Sequence, residues 1–86
     1  MDRKLGKLLQ SLIDLAESKG LSLEDLNIAK DYLKHHELGL CLDTIATRLY
    51  EYNVVIDEEF YTQLQEIANL MKMPASEYSF MKELIK

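Results

Sequence analysis

The sequence predicts an all-α fold, a single compact bundle of about five short helices over residues 1–86. Apolar residues recur at three- and four-residue spacing along most of the chain, and capping and turn residues cut that pattern into five pieces. The period-two alternation of strands is confined to the brief pair Val54-Val55. With 86 residues, 48% hydrophobic and 29% charged, the chain can bury one core but not two.

Leu5, Leu8, Leu9, Leu12, Leu15 and Ala16 form the stripe of a first helix, which Gly20 ends in the left-handed conformation. Ser22 then suits an N-cap, Asp25 a short version of the capping-box acid, and Leu21 a staple against Leu26. The second helix is expected to bury Leu23, Leu26, Ala29 and Leu33. The stripe changes phase across Lys34-His35-His36-Glu37-Leu38-Gly39, which predicts a break near 35–37. In the third helix, with Ile45 inward, Leu38, Cys41, Leu42, Leu49 and Tyr52 fall on the core side at about 100° per residue. Its outward face is Leu40, Asp43, Thr47, Tyr50 and Glu51. After a short connection, Asp57 can cap a fourth helix with Glu58 and Glu59 at its positive end and Phe60, Leu64, Ile67, Ala68 and Met71 inward. Pro74 stops that helix and suits the opening turn of a fifth, whose stripe is Tyr78, Met81, Leu84 and Ile85.

Composition narrows the function classes. The lone Cys41 allows no intramolecular disulfide, and Met1 to Lys7 lead into no apolar signal core, so a cytoplasmic location is the expectation. No run approaches the roughly 20 apolar residues of a membrane span. The net charge is −5, and residues 1–20 carry four basic and three acidic side chains, leaving six basic against twelve acidic in the remainder. From Glu37 to Glu66 seven carboxylates face a single cation, Arg48. Such a surface repels a phosphate backbone and attracts a basic partner, so nucleic acid is not an expected ligand.

Neither metal chemistry nor catalysis finds support in the residues. His35 and His36 are adjacent and so point about 100° apart on a helix, and no second cysteine joins Cys41, which reads as a small core residue. No cofactor is expected. A nucleophile would need a base and an orienting acid in one cleft, and a bundle of this size has no room for a pocket of several hundred cubic ångströms without losing core. Binding is the alternative. On the outward face of the third helix, Leu40 and Tyr50 accompany Asp43, Thr47 and Glu51, an apolar centre with a charged rim. The plain counter-reading is that Leu40 and Tyr50 cover neighbouring helices and the acids are solvated helix surface.

The stretch Ala29-Lys30-Asp31-Tyr32-Leu33-Lys34-His35-His36-Glu37-Leu38-Gly39-Leu40-Cys41-Leu42-Asp43 resembles the motif of the MafI family of bacterial immunity proteins. Leu49-Tyr50-Glu51-Tyr52, Ile56 before an acidic turn, Tyr61, Met71 and Leu84-Ile85 follow in that family's order, so the resemblance covers about residues 29–86. Its most specific part is Glu37-x-Gly39-Leu40-x-Leu42-Asp43 followed by Glu51. Cys41 stands where alanine is usual, Leu38 where an aromatic is common, Asp43 where Glu is common and Tyr78 where Trp is frequent. These size-tolerant departures leave the fold expectation intact and bear on which partner is recognised.

The resemblance implies an immunity protein that neutralises the C-terminal domain of a secreted contact-dependent or polymorphic toxin, often a nuclease and including EndoU-type ribonucleases. It carries Glu37, Asp43 and Glu51 over as partner-binding positions, with Leu40 and Tyr50 as dry anchors and Asp57, Glu58 and Glu59 as steering charge. A basic nuclease cleft is a fitting target for an acidic surface. Glu37 and Gly39 also have a plainer role in turn geometry and at the helix dipole. A competing expectation is a helical adaptor that self-associates through apolar surface. A helix-turn-helix regulator is disfavoured because neither candidate recognition helix carries a basic face.

Overall fold

A computed structural model describes residues 3–86, and Met1 and Asp2, the first of the residues on which the signal-core expectation rests, lie outside the described residues. Four α-helices and a terminal 3-10 helix follow in order: α1 (Arg3–Lys19), α2 (Leu23–Lys34), α3 (Leu38–Glu51), α4 (Glu58–Leu70) and η1 (Ala75–Leu84). No strand occurs among the described residues, and the fold is the all-α bundle of about five helices that the periodicity predicts. Helix α1 packs against α2, α3 and α4, while η1 closes over α4 and α3. One apolar cluster gathers side chains from every element, including Leu9, Leu12, Leu26, Ile45, Phe60 and Met81.

Each α-helix stops in the same way. A left-handed residue follows the last turn, and the next amide bonds back across the turn: Leu21 N–H to the Ala16 carbonyl at 3.0 Å, Glu37 to Tyr32 at 2.8 Å, Val54 to Leu49 at 3.0 Å and Met73 to Ala68 at 2.9 Å. Gly20 (φ 109°) fills this position after α1, but His36 (φ 60°), Asn53 (φ 52°) and Lys72 (φ 61°) fill the other three. Gly20 announces itself in the sequence and Asn53 does so more weakly, whereas His36 and Lys72 carry the backbone strain of a residue with a Cβ and give no signal.

Ser22 caps α2 by accepting the Asp25 N–H at 3.2 Å, and Asp57 caps α4 by accepting the Phe60 N–H at 2.8 Å. Leu21 and Leu26 are both buried, as a staple requires. Leu23 is not buried but 68% exposed. The reason is rotation: α2 buries Asp25, Leu26 and Ala29, and at about 100° per residue the centre of that face lies roughly 120° from Leu23. Leu33 and Met71 are only half-buried at the edges of their stripes. Tyr52, expected inward, is 61% exposed because it caps α3 beyond the last turn that the core covers.

The fifth helix is 3-10, not α, with two segments joined across Tyr78 (φ −119°, ψ 17°). Its buried residues, Tyr78, Met81 and Leu84, recur every three positions, the repeat of a 3-10 turn. Ile85 is half-buried and forms a parallel bridge with Ile56, whose N–H donates to the Leu84 carbonyl at 3.0 Å. That bridge ties the α3–α4 connection to the end of the described chain. It also fixes Ile56 inward and, by extended-chain alternation, leaves Val55 outward.

No helix among the described residues is long and apolar enough to cross a membrane.

Candidate partner-binding surface

The outward stripe of α3 is solvent-facing as its phase requires: Leu40 (48%), Asp43, Thr47, Tyr50 (40%) and Glu51 are all exposed. Contacts divide the stripe into two flanks. Toward η1, Gly39 faces the methyl groups of Met71 and Met73, and the Tyr50 ring meets Phe80 edge-on with centroids 4.9 Å apart. The Tyr50 hydroxyl donates to Glu83 Oε2 at 3.1 Å, and this bond with the carboxylate's charge holds the phenol above its ordinary range. Tyr50 therefore covers its neighbour as the plainer reading held, while keeping part of its ring in water. Asp43 lies on the same flank, near enough to Tyr78 to add to the burial that pushes that phenol up to about 12.

Toward α2, Arg48 bridges two carboxylates, with Nε 3.5 Å from Asp25 Oδ1 and Nη1 3.6 Å from Glu51 Oε1. Asp25 is a buried acid whose other oxygen accepts the Ser22 hydroxyl at 3.0 Å. Burying a carboxylate is tolerated only with such partners. The sequence reading gave Asp25 a capping role alone. The signal for its second role was Arg48, the sole cation between Glu37 and Glu66.

The nine candidate residues do not form one spot. At 1.5 Å per residue, Glu37 and Glu51 stand about 20 Å apart along α3. Glu37 and Leu40 lie at the end of the bundle holding the α2–α3 turn, and Asp43 and Thr47 run along its side. Tyr50, Glu51, Asp57, Glu58 and Glu59 gather at the opposite end, formed by the α1–α2 turn and the α3–α4 connection. Lys19 Nζ and Asp57 Oδ2, 2.7 Å apart, join those two connections. The Lys19 hydrogen bond, with that from the Phe60 amide, holds the Asp57 carboxyl below its ordinary range. Asp57 is thus occupied as cap and ion-pair partner, whereas Glu58 and Glu59 are exposed in the first turn of α4.

Charge follows this division. At the connection end, residues 17–27, 48–62 and 82–86 carry eight carboxylates against four basic side chains. At the opposite end, residues 3–7, 28–39 and 68–77 carry three against six. The acidity that the sequence assigns to α3 and its sequel is therefore concentrated where α3 finishes. Part of it has a structural use, since Glu24, Asp25, Glu58 and Glu59 sit in the positive first turns of α2 and α4.

The remaining chemistry is sparse. Cys41 is fully buried, and burial pushes its thiol up to about 11. His36 is the left-handed residue ending α2, and His35 Nδ1 lies 2.9 Å from the Asp31 carbonyl oxygen. Among the described residues no three His, Cys, Asp or Glu side chains are grouped as a metal site. The expectation that several hundred cubic ångströms could not be accommodated needs correction at the surface. An open groove of about 660 Å³ runs between α4 and η1, lined by Tyr61, Gln65, Asn69, Met73, Ser79 and Lys82 among others. It costs the core nothing because the narrow 3-10 helix leaves the flank of α4 uncovered, and Gln65 spans it with bonds to the Tyr61 hydroxyl (2.8 Å) and the Ala75 carbonyl (3.1 Å).

Comparison with known protein families, curated proteins and solved structures gave no match.

Proposed function

We propose that the protein is an immunity protein that acts by binding, without catalysis, and neutralises the C-terminal toxin domain of a secreted contact-dependent or polymorphic toxin. The resemblance over residues 29–86 implies that class and makes a nuclease, an EndoU-type ribonuclease foremost, the target. The observation that supports the reading independently is the surplus of carboxylates around exposed apolar groups where α3 ends and α4 begins. A nuclease holds its substrate's phosphates in a cationic groove, so a rigid acidic surface can occupy that groove in place of nucleic acid. Opposite charge also speeds encounter, which matters for an inhibitor competing with substrate.

The test is to purify the chain together with the product of the gene immediately upstream and to assay RNA and DNA cleavage with and without it. Loss of cleavage at equimolar chain is the expected result, and undiminished cleavage would end the proposal. Asp43→Lys combined with Glu51→Lys should slow association and weaken protection with little change in folding, and unaltered affinity would move the site elsewhere. A second reading is favoured by the exposure of Leu23, Tyr52 and Val55, which suits an adaptor that self-associates. Solution mass separates the two: the adaptor is a dimer that blocks no activity.

A further inference from the structure

Among the described residues six large hydrophobics are exposed, and the three most exposed of them lie at one end of the bundle: Leu23 (68%) opens α2, and Tyr52 (61%) and Val55 (51%) belong to the α3–α4 connection. Apolar spacing alone would group Leu23 with the stripe of α2 and Tyr52 with that of α3. They are outward because Asp25 takes the core-side position on α2 and because α3 stops before Tyr52. A shallow depression lined by Gly20, Leu21, Ser22, Glu24, Tyr52 and Val54 shows that the two connections adjoin. The end is held rigid by the Lys19–Asp57 ion pair, the Arg48–Asp25 bridge and the Ile56–Ile85 pairing.

Charge decides what can cover this surface. Glu24, Glu58 and Glu59 are exposed around it, while Lys19 and Arg48 are engaged with Asp57, Asp25 and Glu51. Lys82 shares a small groove with Glu58 on the η1 side, and Lys86 is exposed beyond it at the end of the described residues. A second copy would bring a like-charged rim onto this one, which opposes the burial of the apolar groups. A basic polypeptide would bring the complementary rim.

We propose that the end formed by the α1–α2 turn and the α3–α4 connection is the anchor of the interface, burying Leu23, Tyr52 and Val55 against a polypeptide whose lysine or arginine side chains meet Glu24, Glu58 and Glu59. This rests on the inhibitory reading above and deepens it, because it moves the apolar centre from Leu40 on the α3 stripe to the opposite end of the bundle. A few buried side chains, tyrosine prominent among them, carry most of the energy of such interfaces, so Tyr52 is the principal anchor and Leu23 and Val55 exclude water around it, while the charged rim sets the rate of encounter.

The experiment compares the full chain with the variant carrying Leu23→Ser and Tyr52→Ser, and with Leu40→Ser at the other end, for binding to the purified toxin domain encoded immediately upstream. Thermal unfolding should be nearly unchanged in both variants, since each of the three replaced side chains faces water. The double variant should weaken binding about tenfold or more, chiefly through faster dissociation, and Leu40→Ser should change it less than threefold. Wild-type affinity in the double variant, with the unmodified chain still binding, overturns this proposal and spares the inhibitory reading. Failure of the unmodified chain to bind overturns both. A wild-type dimer that the double variant converts to monomer assigns the surface to a second copy and also overturns it.

Discussion

The two ends of the bundle are built from the same parts, a pair of short connections closing helices of similar length, yet they are finished differently. Where α2 meets α3, three residues suffice, and the surroundings carry more cations than carboxylates. Where α3 meets α4, the connection is longer, one residue of it enters the core and its neighbours stay in water among carboxylates. Folding alone would be served by polar residues at both ends. A connection that exposes Tyr52 and Val55 while burying Ile56 offers the apolar surface that the proposed interface uses.

The largest effect that sharpens this contrast lies within the connection. Ile56→Ala should cost about 2–5 kcal/mol in urea unfolding, since it empties a core site, whereas Val55→Ala beside it should fall within about 0.5 kcal/mol. Equal losses would mean that Val55 is covered and the apolar surface is misplaced. Next comes the buried acid. Asp25→Ala removes the partner of both Arg48 and the Ser22 hydroxyl, and should destabilise by about 1–3 kcal/mol. If it is neutral, the bridge does not set the rotation of α2 that turns Leu23 outward.

Most of the architecture was legible because it rests on spacing and caps: Ser22, Asp57, Gly20 and Pro74 punctuate apolar stripes that a reader can phase. The failures have physical causes. A buried aspartate is hard to foresee until its cation is found on another helix, and misreading Asp25 is what misplaced Leu23. Tyr52 was in phase but past the end of its helix, so periodicity alone could not expose it. The pairing of Ile56 with Ile85 is non-local and leaves no local pattern. Of the candidate surface, the outward stripe of α3 was legible from phase, while the division of its nine residues between two ends depended on how the helices are stacked.

Smaller effects test how the helices stop. Lys72→Gly should stabilise the chain by about 0.5–1 kcal/mol in urea unfolding by relieving a left-handed backbone, and Asn53→Gly should do less because asparagine already tolerates that conformation. Destabilisation by Lys72→Gly would mean that its side chain contributes more than its backbone costs.

The smallest effect belongs to the exposed pair at the connection end. The carboxyl of Asp57 is held below its ordinary value, so its contribution is present above the unfolded carboxylate range and is lost as pH falls through the folded value. Asp57→Asn keeps a capping side chain but loses the Lys19 ion pair. The urea midpoints of parent and variant should therefore differ slightly at neutral pH and converge on acidification, and a difference that grows at low pH would contradict the assignment.

The most direct test of the whole account is amide hydrogen exchange on the chain, free and bound to the proposed partner, the toxin domain expected from the gene immediately upstream. Binding at the acidic end should slow exchange across residues 20–24 and 51–59 and leave residues 34–40 and 70–76 as they were. Slowed exchange confined to the second set would place the partner at the basic end and contradict the account.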